Sequence, residues 1–511
     1  ASDALIKQIN DGALIINYTG HGGISGLSEE KLFTISHINS LTNKDNMPFF
    51  ITATCEFSRF DDPHFVSAGE QLLLNANGGG IGLMTTTRLA FAHSNFALNK
   101  KVYAAMFNRA DASFKRLGDI LRLSKNPTSS SIYNFVLLGN PALKLVYPEK
   151  TIHTTLVNDM PVAGRDIMLH SMSEVSFEGE IIGPDGQIDT GFNGYLYPRL
   201  FDKKTTFTTL GNASNSQVVP FSYFDKILVE SKVSVKEGKF RFSIGLPRDI
   251  AYQYGQAKLS YYAVDTVDFS DASGYFNKLN IGGTDPDIVP DDQGPEITLY
   301  MNSPAFRQGD IIPPNSDLWI MLSDPQGIHH LGNSIGRDIM LTEFAPHSKK
   351  TILNESFEPV VDHYGQGWIK VPMTDLENGE HILSLRAWDL HNNSSEAEIR
   401  FFVDRTAALA LHRVLNYPNP FSDETAFVFD HGKPGATFDY RIDIYHINGR
   451  HVISLEGQTA GNGQRSEPIL WNGKDQYGRN IAPGIYVYQL WLTDDEGVQS
   501  TVFQKFTRIN K

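Results

Sequence analysis

One thiol and one glycine-flanked imidazole are the residues of this sequence best suited to covalent chemistry. The thiol belongs to Cys55, the only cysteine of the chain, and the imidazole to His21 in the stretch Gly20-His21-Gly22-Gly23. A free thiol has a pKa of about 8.5, so a nucleophilic cysteine needs a nearby imidazole or a helix N-terminus to activate it. A lone cysteine is otherwise most often a small buried apolar side chain. Which description applies to Cys55 depends on whether the fold brings His21 beside it.

Both residues follow apolar runs typical of buried strands. Residues 13–18 precede His21, residues 47–54 precede Cys55, and a short helix is predicted between them over 36–41. Together these runs form a β-α-β unit, whose two strands lie parallel with their carboxyl ends side by side. Functional residues of open α/β sheets lie at those carboxyl ends. The sequence therefore predicts that the thiol and the imidazole meet at one edge of a sheet.

A third apolar run, residues 81–86, predicts a further strand whose end faces the same crevice. Thr86 and Arg88, at the end of this run, are predicted to line a substrate groove. Glu56 and Gly22 lie next to the two reactive residues and are predicted to belong to the oxyanion and substrate region.

Two carboxylates follow Cys55 closely and are possible partners for the imidazole. Asp61 and Asp62 lie beside a predicted turn, where a carboxylate usually caps the backbone or pairs with an arginine. We therefore expect a structural role for them, in pairs with Arg59 or Arg88.

Composition limits the classes of protein to which the chain belongs. Its 511 residues, 41% hydrophobic and 20% charged, predict several folded domains. A formal net charge of −14 argues against nucleic acid as a partner, because phosphate recognition needs a basic surface. A single cysteine permits no intrachain disulfide, and no run approaches the roughly 20 apolar residues of a membrane helix.

The residue pattern of the sequence changes after residue 148. The predicted fold class is multidomain, with an α/β domain followed by all-β modules. Short alternating strands separated by Gly, Pro, Asn and Asp predict three β-sandwich (Ig-like) modules. The predicted boundaries are 1–148 for the α/β domain and 149–290, 291–407 and 408–511 for the modules.

No motif in the sequence indicates a metal-binding site of known type, and no cofactor or catalytic metal is expected. Residues 285–292 carry four aspartates, which suit a structural Ca²⁺, but they do not fit an EF-hand loop and a solvated linker is the favoured interpretation. His329-His330 lacks further spaced ligands and is expected on the surface.

Several stretches of the first domain together carry a family resemblance: Gly20-His21-Gly22-Gly23, FFITATCEFSRFDDP, SAGEQLLLNANGGGIGLMTTTR and FVLLGNPALKL. This set resembles the gingipain-type cysteine peptidases of family C25, which have a caspase-like fold. The resemblance covers residues 1–147 and places the family's catalytic histidine on His21 and its nucleophile on Cys55. In the family, the first strands of the sheet and an acidic residue that assists the histidine come earlier in the chain. We therefore expect a remaining N-terminal part of the same protein to supply both.

The last hundred residues carry a second resemblance, to the C-terminal signal domains of type IX secretion cargo. It rests on Tyr417-Pro418-Asn419-Pro420-Phe421 and on the strand beginning Gly484-Ile485-Tyr486. Both resemblances together imply a type IX secretion sortase, which removes signal domains from secreted cargo and joins the cargo to anionic lipopolysaccharide. They also imply a location on the outer face of a Gram-negative outer membrane, held there by a β-barrel partner resembling PorV.

Two other functions are compatible with the same residues. One is a secreted adhesin or binding protein with an inactive caspase-like domain, which would need no cysteine. The other is a purely hydrolytic maturation protease, which shares His21 and Cys55 with a sortase and differs in what resolves the acyl-enzyme.

Overall fold

A computed structural model describes residues 1–108, 114–125, 133–212, 216–285, 291–332, 334, 336–346, 348–403, 411–431, 436–462, 465–495, 497 and 499–509. The chain divides into two compact units, Ala1–Glu149 and Lys150–Lys511. The first combines helices and strands, and the second consists mostly of strands.

The helices and strands of the first unit alternate along the chain. Its helices are α1 (Ser2–Asp11), α2 (Ile35–Asn39), α3 (Ala68–Leu74), α4 (Ala92–Phe107) and α5 (Leu117–Ser124). Its strands are β1 (Ile15–Thr19), β2 (Gly22–Gly23), β3 (Gly26–Leu27), β4 (Phe33–Thr34), β5 (Phe49–Ala53), β6 (Gly82–Thr86) and β7 (Phe135–Gly139).

A four-stranded sheet in the order β1-β5-β6-β7 organises this unit. β1 pairs with β5 in parallel, β5 pairs with β6 in parallel, and β7 is antiparallel to β6. The parallel β1–β5 pair confirms the predicted β-α-β unit, with α2 in its connection. Helix α2 begins after Thr34, whose hydroxyl accepts the N–H of His37.

Every residue of β5 and of β6 is buried, because helices cover both faces of the sheet. Successive side chains of a strand point to opposite faces. Phe49 and Ile51 accordingly pack with Leu98 of α4 in one core, whereas Phe50 packs with Leu72 of α3 in another. Burial on both faces explains why these strands are continuous apolar runs rather than alternating ones.

Strands dominate the second unit throughout its described residues. The first group is β8 (Lys150–Val157), β9 (Met160–Pro161), β10 (Ile167–Ser171), β11 (Glu174–Ile182), β12 (Gly194–Phe201), β13 (Thr205–Thr208), β14 (Pro220–Tyr223), β15 (Ile227–Glu230), β16 (Val233–Val235), β17 (Lys239–Gly245), β18 (Gly255–Asp265) and β19 (Asp271–Thr284). The second group is β20 (Glu296–Met301), β21 (Ile311–Ile312), β22 (Ser316–Ser323), β23 (Met340–Ala345), β24 (Lys349–Ile352), β25 (Glu358–Val360), β26 (His363–Met373), β27 (Gly379–Trp388) and β28 (Ser394–Val403). The third group is β29 (Leu411–Tyr417), β30 (Thr425–His431), β31 (Thr437–His446), β32 (His451–Asn462), β33 (Arg465–Ser466), β34 (Ile469–Trp471), β35 (Gly484–Asp494) and β36 (Gln499–Arg508).

Each group forms its own sheets. In the first group, β13 and β14 pair only with each other and the other ten strands join in one sheet. The second group forms a four-stranded and a five-stranded sheet that share one buried core. The third group is a connected eight-stranded sheet. The sheets thus follow the predicted change to all-β texture, while the module boundaries remain predictions.

Two expectations for the second unit need comment. The sequence of residues 352–356 predicts a strand, but β24 ends at Ile352 and is followed by a 3-10 turn, Asn354–Ser356, in which the buried side chain of Asn354 accepts the N–H of Ile339. Most of the predicted linker, residues 286–290, lies outside the described residues. Among the helices of the described residues, none is both long and apolar enough to cross a membrane.

Candidate active site

The register of the first two parallel strands brings His21 and Cys55 to the same edge of the sheet. Thr19, the last residue of β1, pairs with Ala53, the last residue of β5. Each reactive residue follows its strand by two positions, and the N–H of Gly20 donates to the carbonyl of Ala53 at 3.4 Å. Both residues therefore lie beyond the carboxyl ends of neighbouring strands, as predicted.

The His21 loop packs closely against the residue that precedes the cysteine. A Cβ atom at Gly22 would lie 2.5 Å from the hydroxyl oxygen of Thr54, so no other residue type fits there without displacing Thr54. The carbonyl of His21 accepts hydrogen bonds from the hydroxyl of Tyr18 at 2.6 Å and from the N–H of Ser28 at 2.8 Å. These bonds fix the backbone of His21, whose side chain is exposed.

Cys55 lies in a sharp turn at partial exposure. The next residue, Glu56, has a positive φ of 50°, which turns the chain away immediately after the thiol. The Cys55 sulfur lies 3.5 Å from both the nitrogen and the carbonyl oxygen of Ala90. In the part of the chain that the structure describes, the backbone N–H of Cys55 donates to no protein acceptor.

Two buried polar side chains donate hydrogen bonds to the backbone just before this turn. The hydroxyl of Thr86 donates to the carbonyl of Thr54 at 2.7 Å, and the amide of Asn95 donates to the carbonyl of Ala53 at 3.1 Å. Thr86 is fully buried, so its side chain positions the backbone before Cys55, in contrast to its expected place on the wall of a groove.

The acidic residues after Cys55 pair with arginines, as expected. Asp61 receives two hydrogen bonds from Arg88, at 2.7 and 2.5 Å, and these bonds lower the pKa of its carboxyl group. One carboxylate oxygen of Asp62 and one of Glu56 each lie 3.3 Å from a guanidinium nitrogen of Arg59. Arg88 and Glu56 both take part in these ion pairs, so each charge is balanced by a neighbouring residue of the protein. The pairs also restrain the loop around the thiol.

The backbone N–H of Glu56 also has a partner, the carbonyl of Arg88 at 3.4 Å. Of the amides around the thiol, that of Cys55 is therefore the better placed for an oxyanion.

Sequence reasoning placed His21, Gly22 and Cys55 at the sheet edge where the structure has them, but it missed two residues that contact or support the thiol. Ala90 contacts the sulfur through its backbone atoms, which no sequence motif indicates. Asn95 lies in the first turn of α4, where a polar residue is ordinarily expected to be exposed. Its burial against the end of β5 follows from how that helix packs on the sheet.

A separate group of carboxylates lies in the second unit. Oxygens of Asp291, Asp324 and Asp389 lie within 4.8 Å of one another, and Asp324 and Asp389 are buried. Carboxylate oxygens are the donors that Ca²⁺ prefers, so these are the residues of the described chain that best fit such an ion. Only Asp291 belongs to the aspartate run that drew attention in the sequence.

Burial and the nearby Asp389 and Asp291 raise the pKa of Asp324 to about 7. At this carboxyl group the folded state therefore binds more protons than the unfolded chain between about pH 4 and pH 7, and the contribution of Asp324 to stability is lost as pH rises through that window. We expect Asp324→Asn to gain stability relative to the wild type as pH rises from 4 to 7, because its amide keeps the hydrogen bond from the Gln326 N–H without a charge.

The measurement is the difference in thermal midpoint between variant and wild type in chelator, with Asp185→Asn in an exposed turn as control. A difference is needed because partly buried His330, whose pKa is lowered to about 4 by loss of solvation, contributes with the opposite sign. A pH-independent difference would contradict the shifted pKa of Asp324. The burial of His329 shows that its expected surface position was wrong, and His330 is partly buried, with its ring stacked on Phe357 at a centroid distance of 4.5 Å.

Comparisons with known proteins bear on the first unit above all. Residues 1–146 match the model of peptidase family C25. The search of curated proteins found no match to this chain.

Solved structures match large parts of this chain, but with low TM-scores. The crystal structure of dimeric latent PorU from Porphyromonas gingivalis is 25% identical over 84% of this chain, with a TM-score of 0.39. The crystal structure of the Arg-specific cysteine proteinase gingipain R is 16% identical over 53% of this chain, with a TM-score of 0.27. This chain covers 41% of the PorU chain and 56% of the gingipain R chain. Over residues 1–146, nearly the whole of its first unit, this chain is therefore similar to peptidase family C25.

Proposed function

We propose that this chain carries the thiol and imidazole of a cysteine endopeptidase, with Cys55 as nucleophile and His21 as acid-base group. The observation that carries this proposal is the register of β1 and β5, which places both residues two positions beyond paired strand ends. An adhesin with an inactive domain would need neither residue, yet the only thiol in 511 residues lies at this edge of a C25 domain.

Acylation would proceed as follows. The Cys55 thiolate attacks the carbonyl carbon of the scissile peptide bond, forming a C–S bond and a tetrahedral oxyanion. The free N–H of Cys55 and the N–H of Gly22 are the proposed donors to that oxyanion. When the C–N bond breaks, the imidazolium of His21 protonates the leaving amine, and a thioester to Cys55 remains.

The finer proposal is that the thioester passes to an amine, as in a sortase. The substrate would be a secreted cargo protein joined to its C-terminal signal domain, and the amine would belong to anionic lipopolysaccharide. The resemblance of residues 1–147 to gingipain-type peptidases, together with that of the last hundred residues to type IX cargo signal domains, supports this proposal. Attack of the amine on the thioester carbon forms an amide bond, and the Cys55 thiol is regenerated with the proton that the amine loses.

Residues 408–511 would hold the enzyme at the cell surface by docking to an outer-membrane β-barrel protein resembling PorV. The support is the sequence resemblance of this region to cargo signal domains, from the YPNPF stretch to the Gly484-Ile485-Tyr486 strand start. The protein would then be a peripheral component of the outer face of a Gram-negative outer membrane.

Competition between an amine and water distinguishes a sortase from a hydrolytic protease. We expect full-length protein, incubated with cargo carrying its signal domain and increasing glycylglycine, to give amide-linked cargo in excess of free acid. The ratio should rise in proportion to amine concentration, because a shielded thioester is reached by a bound amine faster than by water. Mass spectrometry of the cargo C-terminus measures the ratio. Free acid as the main product at every amine concentration would indicate a maturation protease instead.

A further inference from the structure

A small β-hairpin stands apart from the ten-stranded sheet of the second unit. Its strands β13 and β14 pair antiparallel, with Phe207 opposite Phe221 and Thr205 opposite Tyr223, and they bond to no other sheet in the described chain. An isolated two-stranded hairpin is marginally stable in water, so a hydrophobic face on it normally packs against something.

The two faces of this hairpin differ in chemistry. Phe207, Phe221 and Tyr223 stack on one face, with ring centroids 5.0 to 6.0 Å apart. On the other face, the hydroxyls of Thr206 and Ser222 lie 2.8 Å apart and hydrogen-bond across the strands. Alternation along both strands thus builds one aromatic face and one hydroxyl face.

Water reaches much of the aromatic face and the adjoining chain. Phe221 and Tyr223 are 46% and 48% exposed, and Val218 and Leu210 near the turn are 62% and 86% exposed. Scattered exposed apolar residues are common, but a group of them on one separate hairpin indicates an interaction surface.

The hairpin also differs in charge from the protein that carries it. Residues 203–224 contain two lysines and no acidic residue, in a chain of net charge −14. The ammonium groups of Lys204 and Lys258 lie 5.2 and 4.9 Å from the ring centre of Phe224. Neither forms an ion pair within the described residues. Cations without carboxylate partners therefore lie at the base of the hairpin, beside Phe224.

We propose that this hairpin binds an anionic lipid surface directly, with its aromatic face entering the boundary between headgroups and acyl chains. Apolar rings with lysines at their base have the composition of interfacial elements, because the stems of lysine side chains lie along apolar surface while their charges reach anionic headgroups. The net negative charge of the whole chain opposes approach to such a surface, so a local stretch without carboxylates is what adhesion requires. This contact would act beside any docking by residues 408–511 and does not depend on the proposed peptidase activity.

Vesicle co-sedimentation of the full chain tests the proposal. We expect binding to vesicles of phosphatidylglycerol and phosphatidylethanolamine at least about tenfold stronger than to phosphatidylcholine alone. Phe221→Ser with Tyr223→Ser should weaken binding to the anionic vesicles at least about tenfold, and Lys204→Glu about fivefold or more. Phe269→Ser is the matched control, since Phe269 is a 79% exposed aromatic residue of the same group of strands outside the hairpin.

A tryptophan reporter gives a second measurement that does not depend on removing the apolar face. Fluorescence of Phe221→Trp should be quenched by brominated lipid in anionic vesicles, whereas the added fluorescence of Phe269→Trp should not. Absence of vesicle binding at low salt, or equal binding by wild type and the double variant, would overturn the proposal. Self-association that the double variant abolishes, without vesicle binding, would make the hairpin a protein interface and equally overturn it.

Discussion

Cys55→Ala is expected to abolish cleavage, with kcat/KM lower by about 10⁴-fold or more, because no other residue can form the thioester. The fold should survive the change. The sulfur is partly exposed, and its two 3.5 Å contacts are with backbone atoms of Ala90, a residue that water also reaches, so its removal leaves little cavity and water can replace the lost contacts. The loss of activity should therefore occur with a thermal midpoint within a few degrees of the wild type.

Cells that carry only this variant should accumulate cargo with the signal domain still attached. An immunoblot of cargo measures that, and Cys55→Ser provides a second variant that keeps the size and polarity of the side chain. Normal cargo maturation in the alanine variant would remove Cys55 from the mechanism, whatever its position at the strand end.

His21→Ala is expected to lower kcat/KM by about 10²- to 10⁴-fold, the usual contribution of a positioned acid-base group. The thiol remains, but at neutral pH a smaller fraction of it is activated and the leaving amine lacks its proton donor. The exposed side chain of His21 makes little contribution to packing, so stability should change little.

His93→Ala is the matched control for this variant. His93 is also an exposed histidine, it follows Ala90, whose backbone contacts the Cys55 sulfur, and its ring stacks on Phe91 with centroids 6.1 Å apart. We expect its kcat/KM to stay within about threefold of the wild type. The rate of Cys55 alkylation by iodoacetamide at pH 7 should fall in His21→Ala alone. A large loss in His93→Ala with none in His21→Ala would exchange their roles.

The β-α-β unit could be predicted from the sequence because its strands are buried on both faces. Apolar runs such as the one that ends at Ala53 have few alternatives to a central strand, and the turn residues after them fix where they end. Parallel pairing then follows from the connection, and with it the shared edge where His21 and Cys55 lie.

Contacts made across the fold could not be predicted in the same way. The carbonyl groups of Ala53 and Thr54 accept hydrogen bonds from the side chains of Asn95 and Thr86, which lie far along the chain. The backbone of Ala90 contacts the Cys55 sulfur in the same way. The type of a residue does not indicate which contacts its backbone groups make. His329 and His330 were likewise expected at the surface, because burial of a histidine depends on which strands pack over it. Asp324 and Asp389 likewise lie beside Asp291 only because the strands pack as they do, since the three residues are far apart in the sequence.

The most direct test of the central claim is to trap the acyl-enzyme. Full-length protein, mixed with cargo carrying its signal domain and quenched in acid within seconds, should contain a species heavier by the mass of the cleaved cargo. Peptide mapping should place that cargo on Cys55 as a thioester that hydroxylamine releases, and His21→Ala should form it more slowly. Cleaved cargo without any adduct on Cys55, or an adduct on another residue, would contradict the assignment of Cys55 as the nucleophile.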